Sequence, residues 1–316
     1  MLGRVMKTRR RLWVVIAIVL TAAVTVAFLA LHRGEPEYHD RPLSHWLAEL
    51  SGRPPHDPPV PEAEVALRAI GTNALPFLLR SLTAEDSRIK KVLIKFNESQ
   101  TVIKLGLKPA ETREEEVFAG YLALAEIAQP AVPDLVALMN GPDKRASSFV
   151  GMVLPYLGPA GLEASAKLLS STNSAVRRSA VLNLAMPVFI EESQHRRVNF
   201  SEHFRQQAGD IVPKLVALLR DDDPNVAHAA TFALGVFRMR PDEVIPVLTN
   251  LAANEAAPLS VRGSAIFAVG KFGKTAGHVV PLLHTFTNNA SAGIRGAASN
   301  ALWQIGGGAS KNVDEK

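Results

Sequence analysis

The chain has 316 residues, no cysteine and a formal net charge of +5, so disulfides, cysteine-ligated zinc and covalently attached haem are excluded. The charge is unevenly placed, because residues 1–33 hold six basic side chains and no acid, which leaves 29 bases against 30 acids in the remainder. A nearly neutral remainder argues against nucleic-acid binding, which requires a basic excess in the folded part.

Residues 12–31 are twenty consecutive residues without a charge. A helix of that length spans ~30 Å, the thickness of one hydrocarbon core. The sequence therefore predicts one N-terminal transmembrane helix. Because five basic residues precede it, residues 1–11 are expected to be a cytoplasmic tail and the rest of the chain to be extracytoplasmic, in the periplasm. The alternative is a cleaved signal peptide, but the apolar stretch is long and no A-x-A site ends it.

Residues 32–61 contain seven prolines and are predicted to form a semi-rigid linker. Inside the linker, Ser44 is placed to cap a short helix whose apolar side carries Trp46, Leu47 and Leu50. This helix is either a docking peptide or a cap on the first repeat. The cap is favoured because the terminal repeats of such stacks need covering.

A helical pattern recurs further along the chain. In Val261–Gly273 the apolar residues are spaced by four, three and four, which is one face of an α-helix, and Ile294–Gly306 repeats that spacing. Looser copies begin at Val226 and Val176. One column of the pattern is alanine in every copy: Ala180, Ala230, Ala265 and Ala298. Small side chains there are expected to be buried between closely spaced helices. The glycine that closes each of the two clear copies is expected to take the left-handed conformation.

A second motif, proline followed two residues later by leucine, follows the copies that begin at Val176, Val226 and Val261 and also occurs twice earlier in the chain. It begins at Pro76, Pro133, Pro213, Pro246 and Pro281. Proline is tolerated in the first turn of a helix, because the N–H there has no intrahelical partner. The repeating unit is therefore predicted to be a helix A, a turn, and a helix B that starts at the proline.

These motifs resemble the HEAT-repeat family in its short, HEAT-like form, as in bacterial proteins with a single N-terminal anchor. The resemblance implies an all-α fold, a right-handed α-solenoid of stacked antiparallel helix pairs over residues 62–308, followed by a polar tail at 309–316. In the family, the arginine of the Val-Arg pair joins a polar ladder between repeats. That role is implied here for Arg177, Arg262 and Arg295, whereas Ala227 departs from the pattern.

Two insertions interrupt the repeats. The first, within residues 83–115, is predicted to add a lysine-rich helix, which is either a contact for an anionic partner or, as we favour, an ordinary solvated face. The second, residues 189–209, is the first choice for a partner-binding site, because insertions in solenoids often carry specificity. A neutral excursion is an equal alternative. Its candidate contact residues are His195, Arg196, Arg197, His203 and Arg205.

No constellation for catalysis stands out. The nine histidines are scattered, no HExxH, G-x-S-x-G or P-loop motif occurs, and the acids at 221–223 are interpreted as a helix cap. We therefore predict no catalytic residue, metal site or cofactor. The favoured hypothesis is a non-enzymatic scaffold, held in the membrane by residues 12–31, whose B helices line a concave surface for a protein or peptide. The alternatives are an enzyme or enzyme-associated subunit resembling bilin lyases, and a structural spacer in the cell envelope.

Overall fold

A computed structural model describes residues 35–51, 61–83, 92, 94–95, 109–141, 143–194 and 208–307. These residues are mostly helical, as predicted. The exception is a two-stranded antiparallel ladder of β1 (Glu37–Tyr38) and β2 (Arg41–Pro42). The predicted transmembrane helix at 12–31, the basic tail before it and the polar tail at 309–316 lie outside the described residues.

The first half of the stack begins with the short helix of the predicted linker. The helices in this half are α1 (Leu43–Ser51), α2 (Pro61–Ile70), α3 (Leu75–Thr83), α4 (Ala110–Leu124), α5 (Val132–Met139), α6 (Lys144–Val153) and α7 (Gly158–Leu168). Helix α1 packs on α2 and α4, and Trp46 is only 1% exposed in their shared core. The apolar side of α1 is thus used within the fold, so α1 is a cap on the stack and not a docking peptide.

The second half contains the clearest repeats. Its helices are α8 (Ser174–Gln194), α9 (Ile211–Leu218), α10 (Pro224–Phe237), α11 (Pro241–Ala253), α12 (Leu259–Lys271), α13 (Val280–Phe286) and α14 (Ala292–Ile305). Helices α6, α8, α10, α12 and α14 are A helices, and α7, α9, α11 and α13 are B helices. The predicted alanine column is buried in all four copies. It belongs to one apolar cluster that runs from Leu162 to Ile305.

Consecutive A helices pack directly on one another, α8 on α10, α10 on α12 and α12 on α14. Glycines allow this approach, since a β-carbon added to Gly235 would lie 2.9 Å from the Cα atom of Ala268, and one on Gly270 would lie 2.7 Å from the Cα atom of Ala301. Among the described helices, α9, α11 and α13 form no comparable interface with one another. Because interaxial distance follows the size of the side chains at the contact, the A layer is the more tightly spaced of the two.

The proline of helix B lies in the first turn of α3, α5, α9 and α13, as predicted. The prediction is wrong for Pro246, which lies inside α11. That helix begins five residues earlier, at Pro241, and carries Asp242 and Glu243 in its first turn. A proline at the first position and acids near the helix N-terminus both favour this earlier start.

The left-handed glycine that follows the A helix stands one position later in the repeat after α14 than after α12. Gly273 follows α12 with a φ of 56°, the predicted left-handed conformation. Helix α14 runs one residue further, so Gly306 keeps a helical φ of −71° and Gly307 takes the left-handed conformation, with a φ of 91°. At the end of α10 the left-handed residue is Arg238, with a φ of 50°.

One described run, Thr112–Met139, is long and apolar enough to cross a membrane by length and composition, with a mean hydropathy of 1.4. The core helix of a folded domain meets the same criterion. Here the run comprises most of α4, a 3-10 segment and α5, and its helical path breaks at Ala125, where φ is 47°. Val117 and Leu124 are buried in the first core cluster. We therefore assign this run to the repeat stack.

Candidate functional site

The partner contacts predicted from the sequence fall in the insertion after α8. That helix extends through the first residues of the insertion, to Gln194. The candidate residues His195, Arg196, Arg197, His203 and Arg205 lie outside the described residues. Their role therefore stays a prediction.

The A helices expose large apolar side chains at recurring positions. Met152 on α6 is 44% exposed, Met186 and Phe189 on α8 are 38% and 39% exposed, and Phe267 on α12 is 36% exposed. Phe232 on α10 is half-buried. We call these five side chains the A-face ridge. Contiguous apolar residues that face solvent are typical of interaction sites.

In α10 and α12, the repeat pattern places the ridge residue on the side of the A helix that faces away from the core. In α10, Phe232 stands two residues from the buried Ala230 and two from the buried Leu234, so the 3.6-residue period turns it away from the core. In α12, Phe267 has the same position relative to the buried Ala265 and Val269. The ridge is not among the sequence-based predictions, because these followed only the buried columns. The signal for Phe232 and Phe267 was a large apolar residue six positions after the first valine of the copy.

The ridge residues of α8 and α10 are in contact, and those of α10 and α12 lie on packed helices. The ring centroids of Phe189 and Phe232 are 5.6 Å apart, and Phe232 and Phe267 take equivalent positions on packed neighbouring helices. The Lys271 ammonium lies 5.1 Å from the centroid of the Phe267 ring, within the range of a cation–π contact. Two of the five side chains are methionines, which adapt their shape to different partners.

Arg177 connects successive repeats, as the HEAT-like resemblance implied. Its Nε and Nη2 atoms donate to the two carboxylate oxygens of Asp221, each at 2.7 Å, and Nη1 donates to the carbonyl of Ser171 at 2.8 Å. The Asp221 side chain is 5% exposed. The hydrogen bond from Arg177 holds the pKa of Asp221 below its usual value. Paired, charge-assisted bonds of this kind are among the stronger polar contacts in proteins.

The other two arginines of the pattern have related structural roles. Arg262 is buried, and its Nε atom donates to the Ala252 carbonyl at 2.9 Å. This bond supplies a donor to a carbonyl group in the last turn of α11. Arg295 donates to the carbonyls of Asn289 and Ala290, both at 2.8 Å, in the turn before its own helix.

In α10, where Ala227 stands in place of the arginine, a different polar contact joins the helix to α12. It is a hydrogen bond between the hydroxyl groups of Thr231 and Ser264, with an O–O distance of 2.6 Å. The fold thus keeps a polar connection between these repeats without the arginine of the pattern.

Of the acids at 221–223, Asp223 acts as predicted, as a helix cap, whereas Asp221 pairs with Arg177. The Asp223 carboxylate accepts from the Asn225 backbone N–H at 2.9 Å at the start of α10. Hydrogen bonds from Ser174 and Asn225 lower the pKa of Asp223. Within the part of the chain that the structure describes, no group of three or more His, Asp or Glu side chains is placed to hold a metal ion.

The stacked A and B helices define a helical-repeat protein. A family model for the HEAT-like repeat matches residues 174–235, so the HEAT-like resemblance is confirmed. No curated protein matches the chain. Among solved structures, the chain is similar to human deoxyhypusine hydroxylase in complex with glycerol. The identity is 13%, the match covers 73% of this chain and 96% of that chain, and the TM-score is 0.30. A likeness this distant assigns no activity.

Proposed function

We propose that this protein is a membrane-anchored scaffold, a right-handed α-solenoid that binds a segment of another protein on its A helices. The observation that carries the proposal is the A-face ridge. It spans four consecutive A helices and consists of methionine and phenylalanine side chains, four of which are exposed. In helical-repeat proteins, small rotations between units create extended surfaces that suit this kind of binding.

The proposed binding surface is the A layer and not the B layer that the sequence analysis favoured. A stack bends toward its more tightly spaced layer, and the glycine contacts of α10 and α12 make that the A layer. The large apolar side chains that are exposed also avoid the described B helices α7, α9, α11 and α13. The inner surface of the solenoid is therefore proposed to be lined by A helices.

Membrane attachment through residues 12–31 and an extracytoplasmic position of the repeats remain part of the proposal. Their support is the twenty-residue uncharged run behind a basic tail. Reporter fusions before and after this run, combined with N-terminal sequencing of the mature protein, test both points. A reporter that is cytoplasmic when fused after residue 33, or a mature N-terminus beyond the run, contradicts them.

We propose binding, without catalysis, as the activity. The support comes from the sequence, which lacks the motifs of hydrolases, zinc proteases and nucleotide-binding enzymes. The bilin-lyase-like alternative predicts that the purified protein binds a bilin pigment. A visible absorption change on mixing the two would favour that alternative.

Site-specific photocrosslinking tests the binding surface. A photoreactive phenylalanine analogue replaces Phe267 on the ridge of the full-length protein, and a matched control replaces the exposed His284 on the B helix α13. After irradiation of intact membranes, we expect a discrete crosslinked protein from position 267 and none from position 284. Equal products from both positions, or a product from 284 alone, would refute the A layer as the binding surface.

A further inference from the structure

The stretches of the A helices that carry the ridge contain basic residues and no acid, and one of those bases, Arg145 on α6, is paired with Glu114 on α4. No aspartate or glutamate occurs in the ridge-bearing helices or in α14 within the ranges 144–153, 174–189, 224–237, 259–271 and 292–305. Acids appear on α8 only after the ridge residue Phe189, at Glu191 and Glu192. An unbiased surface of this size would mix both signs, because charged residues of both kinds are ordinary at protein surfaces.

Two cations flank the ridge. Lys271 extends over the ring of Phe267, and the exposed Arg178 lies on α8 eleven residues before Phe189, three helical turns away on the same side. Among the described acids of the second half, Asp221 is held by Arg177 in a turn, Glu191 and Glu192 follow the ridge on α8, and the others lie in connecting segments or on B helices. Both cations are therefore placed to meet carboxylates of a bound molecule.

The ridge has the length of a single helix. Four A helices, α6, α8, α10 and α12, contribute to it, and neighbouring helix axes lie about 8–10 Å apart. Three such steps make a row of roughly 24–30 Å, which an α-helix of about 16–20 residues covers at 1.5 Å per residue. A narrow row on the inner side of a bent stack suits a rod-like segment better than a flat bilayer.

We propose that the A-face ridge binds an acidic amphipathic helix of a partner protein. The apolar side of that helix packs on Phe189, Phe232 and Phe267, and its flanking carboxylates pair with Lys271 and Arg178. This inference rests on the proposed function and adds the chemistry of the partner. Charge complementarity of this kind mainly sets partner choice and association rate, whereas the apolar contacts supply most of the affinity.

Binding of synthetic helices to the full-length protein in nanodiscs of zwitterionic lipid tests the inference. The probe is a fluorescein-labelled peptide of about 20 residues, with leucine and phenylalanine on one face and glutamate along both edges. Two matched peptides carry glutamine or lysine in place of each glutamate. At low salt we expect the acidic peptide to bind at least tenfold more tightly than the lysine peptide. The difference should shrink as salt screens the pairs.

Charge reversal identifies the cations responsible. Lys271→Glu and Arg178→Glu should each weaken binding of the acidic peptide by roughly tenfold and strengthen binding of the lysine peptide. Lys214→Glu, at an exposed position on the B helix α9, is the matched control and should change neither. Phe267→Ala should weaken all three peptides alike. Thermal unfolding of each variant verifies that the fold is retained.

The outcomes separate this inference from the proposed function. If the acidic, neutral and lysine peptides bind equally and Lys271→Glu has no effect, the acidic-partner inference fails while peptide binding to the A layer stands. If no peptide binds and position 267 gives no crosslink, the proposed function fails as well. If the protein in zwitterionic nanodiscs binds separate vesicles of anionic lipid through Lys271 while no peptide binds, the ridge is a lipid-contacting surface and the inference is refuted.

Discussion

Replacing Gly270 by alanine should destabilise the stack, although alanine is the better helix former. Gly270 lies in α12, where an added β-carbon would be 2.7 Å from the Cα atom and 3.0 Å from the Cβ atom of Ala301. The closest atom belongs to the backbone of α14, so no side-chain rotation relieves the overlap. Helices α12 and α14 must move apart.

The expected size of the effect follows from two opposing terms. Overpacking a well-filled contact costs about 1–3 kcal/mol, and replacing glycine by alanine inside a helix returns up to about 1 kcal/mol. The net loss in unfolding free energy is therefore about 1 kcal/mol, rising to about 2 kcal/mol where the helices cannot adjust. Gly296 in α14 is the matched control, because a β-carbon there meets nothing within 4 Å. At that position alanine should stabilise by up to about 1 kcal/mol.

Urea denaturation of the purified full-length protein measures both changes, with amide hydrogen exchange of α12–α14 as the local readout. Hydrogen exchange is needed because repeat arrays unfold in parts, and the global midpoint then averages over units. We expect faster exchange in Gly270→Ala and slower exchange in Gly296→Ala. If Gly270→Ala stabilised α14 as much as Gly296→Ala did, the close approach of these A helices would be refuted.

Four further substitutions probe other contacts by denaturation. Trp46→Ala should cost about 3–5 kcal/mol, because it empties the core beneath the cap helix α1. Arg177→Lys should cost about 1–3 kcal/mol, since lysine cannot keep both bonds to Asp221. Because the pKa of Asp221 is lowered in the folded protein, its carboxylate contributes fully to the free energy of unfolding above about pH 4, and this contribution is lost as the pH falls through the lowered pKa. Asp221→Asn should therefore make the free energy of unfolding less dependent on pH in the acid range. Arg262→Leu should cost about 1–3 kcal/mol and speed amide exchange at the end of α11, because the Ala252 carbonyl loses its donor.

The buried half of the repeat was readable from the sequence because burial imposes periodicity. The alanine column, the apolar steps of each A helix and the Asp223 cap all follow from local rules, and the structure confirms them. The arginine ladder came from the family resemblance, and Arg177 takes that role through Asp221. These features depend on one helix and its nearest neighbour, which a single sequence can specify.

Features that depend on competition between signals were missed. Pro246 carries the helix-B motif, yet Pro241 and two acids offer an earlier start, and the longer helix forms. The A-face ridge was missed for a different reason. Phe232 and Phe267 recur six residues after the first valine of their copies, but only the packing of α10 against α12 brings these exposed positions onto adjacent helices.

The spacing of the A helices links stability to binding in a way that distinguishes two glycines. Gly235 sets the distance between α10 and α12 through Ala268, and those helices carry Phe232 and Phe267 of the ridge. Gly270 sets the distance between α12 and α14, which lies beyond the last ridge residue. Both alanine variants should lose about 1 kcal/mol of stability, but only Gly235→Ala should also weaken the acidic peptide, because it separates two of its contacts. Equal loss of peptide binding in both variants would mean that α14 belongs to the binding surface.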